Sequence, residues 1–274
     1  MLKIAGIQMN SSQGKEGNIE KAVRLIKVAA KQDAKIVCLQ ELFSTRWFPY
    51  EINGKHLELA EDINGKTITS IKRAAKEAGT TVIAPFFERN GDTFYNSAAV
   101  AGSDGELLGV YRKIHIPKIP LYEESQYFTS GNLGFPVFDI GIAKIGVQTG
   151  WDNFFPEGAR ILALKGAQII FSPTAAASNA SQPTWEKSIS ANAIANGVYI
   201  FRVNRIGKEE KQEFYGKSFC VNPEGDMTGT PSGEQEGVVI CSVDLKMVER
   251  TRKEWSFLKD RRPEMYEEIT KAKG

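Results

Sequence analysis

The stretch from Lys144 to Gly166 constrains this chain more than any other, because it must pass from a strand to a helix within a few residues. Lys144-Ile145-Gly146-Val147-Gln148 has the β-branched, alternating character of a strand. Phe155-Pro156-Glu157 then opens a segment with Ala159, Leu162 and Ala163 at helical spacing, and Gly166 stands just past its last apolar residue. A strand that breaks sharply into a helix presents the residue at the break to solvent beside a helix N-terminus, where many enzymes hold a nucleophile. Here that residue is Gly150, which has no side chain to offer. On its own, Thr149-Gly150-Trp151-Asp152 reads as a tight turn.

The chain before this break opens as a βαβ unit. Residues 2–9 read as a strand, Asn18 as the N-cap of a helix with Ile19, Ala22, Val23, Ile26, Ala29 and Ala30 on one face, and Lys35 to Leu39 as a buried strand. Glu41 follows that strand directly. The C-terminal end of a strand is where open α/β sheets place their ligands, and it is also an ordinary place for a solvated acid. A helix through Ile68, Ile71, Ala75 and Ala78 stops at Gly79, and Thr80 to Phe87 is the next strand. Asn90-Gly91 and Asp104-Gly105 are hairpin signals, so 82–86, 95–101 and 106–111 are expected antiparallel and adjacent, giving a mixed sheet. Lys113 ends the last of these, where an ammonium either snorkels to water or points into a cleft. The aromatic loop from Tyr122 to Phe128 has no period of its own, and loops of this kind tend to be functional.

After the break, Ala167 to Phe171 reads as a buried strand ending in Ser172-Pro173-Thr174, and Thr184 as the cap of a helix running to Asn196. Strands at 198–204, 216–221 and 237–243 complete the count, with Pro223-Glu224-Gly225-Asp226 as a hairpin turn and a last helix from about Lys246 to Phe257. No linker, repeat or low-complexity tract interrupts the chain, so 1–274 is read as one domain. With 35 basic and 33 acidic residues the formal charge is only +2, which makes no case for nucleic acid or a membrane surface. The N-terminus lacks the apolar run and cleavage site of a signal peptide, and a cytoplasmic protein is expected. No G-x-G-x-x-G follows a strand and there is no Walker motif, so no cofactor is expected.

The 3 cysteines, Cys38, Cys220 and Cys241, lie in apolar strand-like runs without C-x-x-C spacing and read as buried thiols. Cys38, three residues before Glu41, is a packed core thiol on this reading rather than a nucleophile. His56 and His115 are far apart without clustered carboxylates, so neither a metal site nor a Ser-His-Asp triad is expected.

Taken together, the segments resemble the nitrilase, or carbon-nitrogen hydrolase, superfamily. Gln40-Glu41-Leu42-Phe43 is similar to its first motif, Tyr111-Arg112-Lys113-Ile114-His115-Ile116-Pro117 to its second, and residues 146–160 to its third. In the third, Val147-Gln148, Trp151-Asp152, Phe155-Pro156-Glu157 and Ala159-Arg160 match, while Gly150 stands where the family has its catalytic Cys. Thr149 also departs, an aliphatic residue being usual there. Further matches are Phe87-Glu88-Arg89 with Tyr95-Asn96-Ser97, the Glu124 to Phe128 stretch, Asn196-Gly197 through Asn204-Arg205, Phe214 to Phe219 and the Asp260 to Tyr266 tail. The resemblance implies a four-layer α-β-β-α sandwich, paired in a homodimer or higher homo-oligomer.

It also implies a division of labour. Hydrolysing an unactivated amide calls for a strong nucleophile, a base for its proton, and a cation or N–H groups facing the developing oxyanion. By resemblance Glu41 is the general base and then acid, and Lys113 stabilises the oxyanion with the backbone N–H of Trp151. Glu124 orients Lys113 and the substrate, and the residue at 150 forms the thioester. With Gly150 in that place, little or no amidase turnover is expected. Three explanations stay open: deliberate inactivation, a natural pseudoenzyme that binds a small amide or regulates a partner, or slow hydrolysis by a water that Glu41 activates. The motifs look most like N-carbamoylputrescine amidases, whose substrate is a small linear carbamoyl amine. Against that, Ala175-Ala176-Ala177-Ser178 replaces a bulkier loop that shapes the pocket. Trp47, Tyr122, Trp151 and Asn153 are the candidate pocket walls, with simple core packing as the alternative for each aromatic.

Overall fold

The computed structural model describes residues 1–11, 14–230 and 232–271. It opens with β1 (Leu2–Gln8), α1 (Lys15–Lys31), β2 (Ile36–Leu39), α2 (Lys66–Ala78), β3 (Thr81–Asn90), β4 (Thr93–Ala101) and β5 (Leu107–Arg112). Next come β6 (Val137–Asp139), β7 (Lys144–Val147), α3 (Pro156–Leu164), β8 (Ile169–Thr174), α4 (Gln182–Asn196) and β9 (Tyr199–Asn204). The chain ends with β10 (Ile206–Glu209), β11 (Gln212–Tyr215), β12 (Phe219–Val221), β13 (Met227–Thr228), β14 (Gly237–Val243), α5 (Leu245–Glu254) and α6 (Glu267–Thr270).

Two six-stranded sheets result, in the orders β14-β1-β2-β3-β4-β5 and β13-β12-β9-β8-β7-β6. In the first, β1, β2 and β3 are parallel and the other pairs antiparallel, the mixed sheet that the hairpin signals predict. Side chains alternate faces along each strand. Ile4, Ile36, Cys38 and Ile83 therefore point inward with Ile145, Val147 and Phe201 of the second sheet, whereas Ala5, Val37, Leu39 and Val82 meet Ile19, Ile26, Ile68 and Ile71 of α1 and α2. Leu162 of α3 and Ile189 of α4 cover the second sheet. The layers are thus α-β-β-α. At Gly146 a Cβ would lie 2.7 Å from Leu162 Cδ2, so this position must be bare for α3 to pack on β7.

Several boundaries differ from expectation for local reasons. Asn18 does not cap α1: the helix begins at Lys15 after Gly14, and the buried Asn18 amide donates to the carbonyls of Ser11 and Ser44 instead. Thr184 lies inside the first turn of α4, which starts two residues earlier with Pro183 in that turn. β8 ends in Ser172-Pro173-Thr174 as expected but starts only at Ile169, and residues 216–218 precede β12 rather than belonging to it. Four short strands, β6, β10, β11 and β13, carry too few alternating residues to stand out by period.

Candidate active site

Strand ends bring the expected polar residues together. Glu41 leaves β2, Lys113 leaves β5, and Glu124 begins a single 3-10 turn in the loop that follows. All three side chains are buried, at 2%, 1% and 1% exposure. Lys113 Nζ lies 2.9 Å from Glu41 Oε1 and 2.8 and 2.7 Å from the two Glu124 oxygens. The ammonium thus points into the fold and not to water. Asn96 on β4 completes the group, its amide donating to Glu41 Oε1 at 2.8 Å and to Glu124 Oε2 at 3.4 Å.

Two carboxylates share one ammonium in a buried site, and the titration of Glu124 and Lys113 follows from that. Burial pushes Glu124 up, the Lys113 charge opposes this, and the neighbouring Glu41 raises it again, to about 7. For Lys113 burial favours the neutral amine, but the two carboxylates outweigh it and hold the ammonium above its ordinary range.

The turn at the end of β7 is not a direct strand-to-helix break. Gly150–Phe154 form a 3-10 turn, so α3 starts only at Pro156, and Gly150 is buried rather than presented to solvent. Gly150 adopts φ +51, and a Cβ there would lie 2.8 Å from Lys113 Nζ and 2.9 and 3.0 Å from the Glu41 oxygens. The first internal bond of the turn runs from Asp152 N–H to Thr149 C=O, leaving the N–H groups of Gly150 and Trp151 without a partner inside it.

Two side chains that sequence reasoning passed over fix this geometry. Asp152, fully buried, accepts the Tyr111 hydroxyl, the backbone N–H groups of Ile114 and His115 at 3.2 and 2.8 Å, and contacts His115 Nδ1 at 2.7 Å. It ties the segment bearing Lys113 to the turn bearing Gly150, and it gives His115 the carboxylate neighbour that the sequence did not indicate. Glu51 likewise stands 3.2 Å from His56. Arg205, also buried, donates to the carbonyls of Glu41 and Leu42 at 3.0 and 2.8 Å and pairs with Glu209 at 2.8 Å. Leu42 sits at φ +50, a conformation such a residue adopts only when its surroundings impose it, and Arg205 supplies that restraint. The signals were present in Trp151-Asp152 and Asn204-Arg205, but no local pattern says what a buried ion holds.

Above this floor opens a cavity of about 420 Å³. Glu41, Lys113, Glu124, Gly150, Tyr122 and Trp151 all line it. Trp47 and Asn153 do not. Trp47 stands behind Tyr122, ring centroids 5.2 Å apart, with its Nε1–H donating to the Leu121 carbonyl. Asn153 clamps the turn by donating to the carbonyls of Gln148 and Gly150 at 3.1 and 2.9 Å. The walls missed were Pro117, Ile119, Phe154 and Trp185, whereas the 175–178 loop lines the cavity as expected. Cys38 lies between the sheets, where burial pushes its thiol well above the ordinary range, and has no path to the cavity's chemistry. Cys220 and Cys241 are free, buried thiols. Among the described residues no group of three or more His, Cys, Asp or Glu could hold a metal, and no helix is long and apolar enough to cross a membrane.

Comparison with known proteins bears on this arrangement. The carbon-nitrogen hydrolase family model matches residues 3–253. The chain is 35% identical over 289 residues to the N-carbamoylputrescine amidase of Solanum lycopersicum, covering 100% of this chain and 96% of that protein. It is 35% identical over 281 residues to the citrullinase of Francisella tularensis, 98% of each being covered. Among solved structures, the carbon-nitrogen hydrolase from Helicobacter pylori G27 superposes with a TM-score of 0.94 at 32% identity, over 98% of both chains.

Proposed function

The chain belongs to the carbon-nitrogen hydrolase family, and from that premise we propose that its cavity binds a small linear amide or N-carbamoyl amine while turning it over little or not at all. In this reading Glu41 is the base, Lys113 and the Trp151 N–H face the oxyanion, and Glu124 orients Lys113 and the ligand. Gly150 occupies the place of the nucleophile.

The observation that carries the proposal is where a side chain at 150 would sit. Its first carbon would press on both Lys113 Nζ and Glu41, at 2.8 and 2.9 Å, so these side-chain ends must shift slightly to admit it. A thiol built there attacks the amide carbon, Glu41 takes its proton and returns it to the departing nitrogen, and water then cleaves the thioester. Without the sulfur no covalent bond forms, and loss of a nucleophile costs several orders of magnitude in rate. A second reading, a natural pseudoenzyme that binds a small amide or regulates a partner, draws support from the closure of the cluster. Lys113, Glu41, Glu124 and the Asn96 amide N–H group bond one another without any thiol.

Ammonia release from N-carbamoylputrescine, glutaramate and propionamide, measured on this chain and on Gly150→Cys, tests the first reading. Turnover by the variant alone is expected. If both are folded and neither turns over, the nucleophile assignment is wrong and the binding reading replaces it. We further propose that the protein acts as a cytoplasmic homodimer or higher homo-oligomer; light scattering of the purified chain tests its assembly, and a monomeric mass ends that part of the proposal.

A further inference from the structure

The walls of the cavity say what kind of amide fits. Resting on the amide-binding reading above, we infer that the ligand's tail is uncharged and apolar, an alkyl or aryl group, and that amides with a cationic or anionic tail are excluded. Among the described lining residues the charged ones are Glu41, Lys113 and Glu124, all in the floor. The remainder of the lining is Pro117, Ile119, aromatic rings, the Ala175–Ala177 methyls and the hydroxyl residues Ser178, Ser181 and Thr184.

A loop of three alanines has backbone groups that could have held a charged tail, but four of these are already used. Tyr122 donates its hydroxyl to the Ala175 carbonyl at 3.0 Å and accepts the Ala177 N–H at 3.1 Å. The buried Asn204 accepts the Ala176 N–H at 2.8 Å and donates to its carbonyl at 3.1 Å. Ser181 at the mouth donates to the Ser178 carbonyl at 2.6 Å. Apart from the Ser178, Ser181 and Thr184 hydroxyls, what faces the cavity above the floor is methyl and ring surface, backed by hydrogen bonds that fix its shape. Trp185 has its ring taken from behind by the Arg202 guanidinium, 4.8 Å from the centroid, and meets Phe154 at 4.5 Å.

A tail ammonium entering this space would shed its water with no carboxylate outside the floor to replace it. Cation–π contact with the rings returns less than the desolvation of an unpaired ion costs. A tail carboxylate meets the same wall without even that compensation. An alkyl or aryl tail, by contrast, exchanges water for methyl and ring contacts along its whole length. The floor fixes the other end: the amide oxygen accepts from Lys113, and the amide nitrogen donates to a carboxylate.

Calorimetric titration of the intact chain with phenylacetamide, butyramide, N-carbamoylputrescine and glutaramate tests this. The two uncharged amides are expected to bind, and the two charged ones to bind at least about tenfold more weakly. Ser178→Asp, at an exposed position on the cavity mouth, is expected to move the ratio of N-carbamoylputrescine to phenylacetamide affinity about tenfold toward the cation without threatening the fold. Charged tails binding as well as or better than apolar ones in the parent overturn the assignment of the tail alone. If none of the four binds the folded chain, the amide-binding floor fails and this inference fails with it.

Discussion

At its floor the cavity gathers three charged side chains from three separate stretches of chain, whereas its wall at Ala175–Ala177 comes from one short loop, four of whose backbone polar groups are bonded to Tyr122 and Asn204. The floor is held by opposite charges facing one another, and each member needs the others. The wall is held by neutral hydrogen bonds from Tyr122 and Asn204, and the groups facing the ligand take no part in them. The floor can therefore lose activity and stability together, while the wall can change selectivity with little change in either.

The largest effect is expected at the floor's empty position. Gly150→Cys should raise ammonia release by about a thousandfold or more over the parent, the scale on which a nucleophile contributes. The φ of +51 and the close Lys113 Nζ oppose the added side chain, at a cost of about 1–3 kcal/mol in stability. The flexible ammonium is the group that can yield. A folded Gly150→Cys protein without turnover would break the comparison at its root.

Removing the shared cation comes next. Lys113→Met leaves two buried carboxylates facing each other with only Asn96 between them, and urea unfolding at pH 8 should show a loss of about 3–5 kcal/mol. A loss under 1 kcal/mol would mean that the carboxylates reach water and that the floor is not dry.

A third effect separates floor from wall by pH. Glu124 has its folded pKa raised above the ordinary value of 4.5 to about 7, first by burial and then by Glu41, against Lys113. A raised pKa favours the protonated form in the folded state, so its contribution is complete below the unfolded pKa and is lost as pH rises through about 7. Between pH 4.5 and 7 the floor should lose up to about 3 kcal/mol, and Glu124→Gln should flatten that part of the stability profile. An unchanged slope in the variant would place the titration elsewhere.

Reading the sequence reached the floor more easily than the wall, and the reason is physical. Glu41 and Lys113 each follow a strongly patterned strand, so period alone puts them at sheet edges, and the motif order around Gly150 supplied the rest. The main helices and the mixed character of the first sheet followed from the same periodicity, whereas the two-sheet, four-layer arrangement came from the family resemblance. What period cannot carry is the partner of a side chain distant in sequence. Asp152 bonding Ile114 and His115, Arg205 restraining Leu42 and Asn204 backing Ala176 all cross from one segment to another. The same limit misplaced Trp47 and Asn153: an aromatic or amide near a site can face the ligand or hold what faces it, and composition is identical in both cases. Asn18 failed as a cap because its amide found carbonyls of two other segments.

Tyr122→Phe leaves every group of the floor in place and gives the finest test of the wall. Burial pushes the phenol up to about 12, so at neutral pH it stays protonated and keeps donating to Ala175. Deleting the hydroxyl leaves the Ala175 carbonyl and the Ala177 N–H unpaired, a cost of about 1–3 kcal/mol, read as a fall in Tm of a few degrees. The ring remains, and its contact with Trp47 remains with it. The Ala175–Ala177 stretch, however, now offers one more free donor and one more free acceptor than before. Selectivity for apolar over charged tails should therefore narrow, with glutaramate gaining from the Ala177 N–H, although no group in the floor has changed. If Tm falls and selectivity stays as it was, the methyl surface alone sets the preference, and the hydrogen bonds behind it serve only to hold the loop.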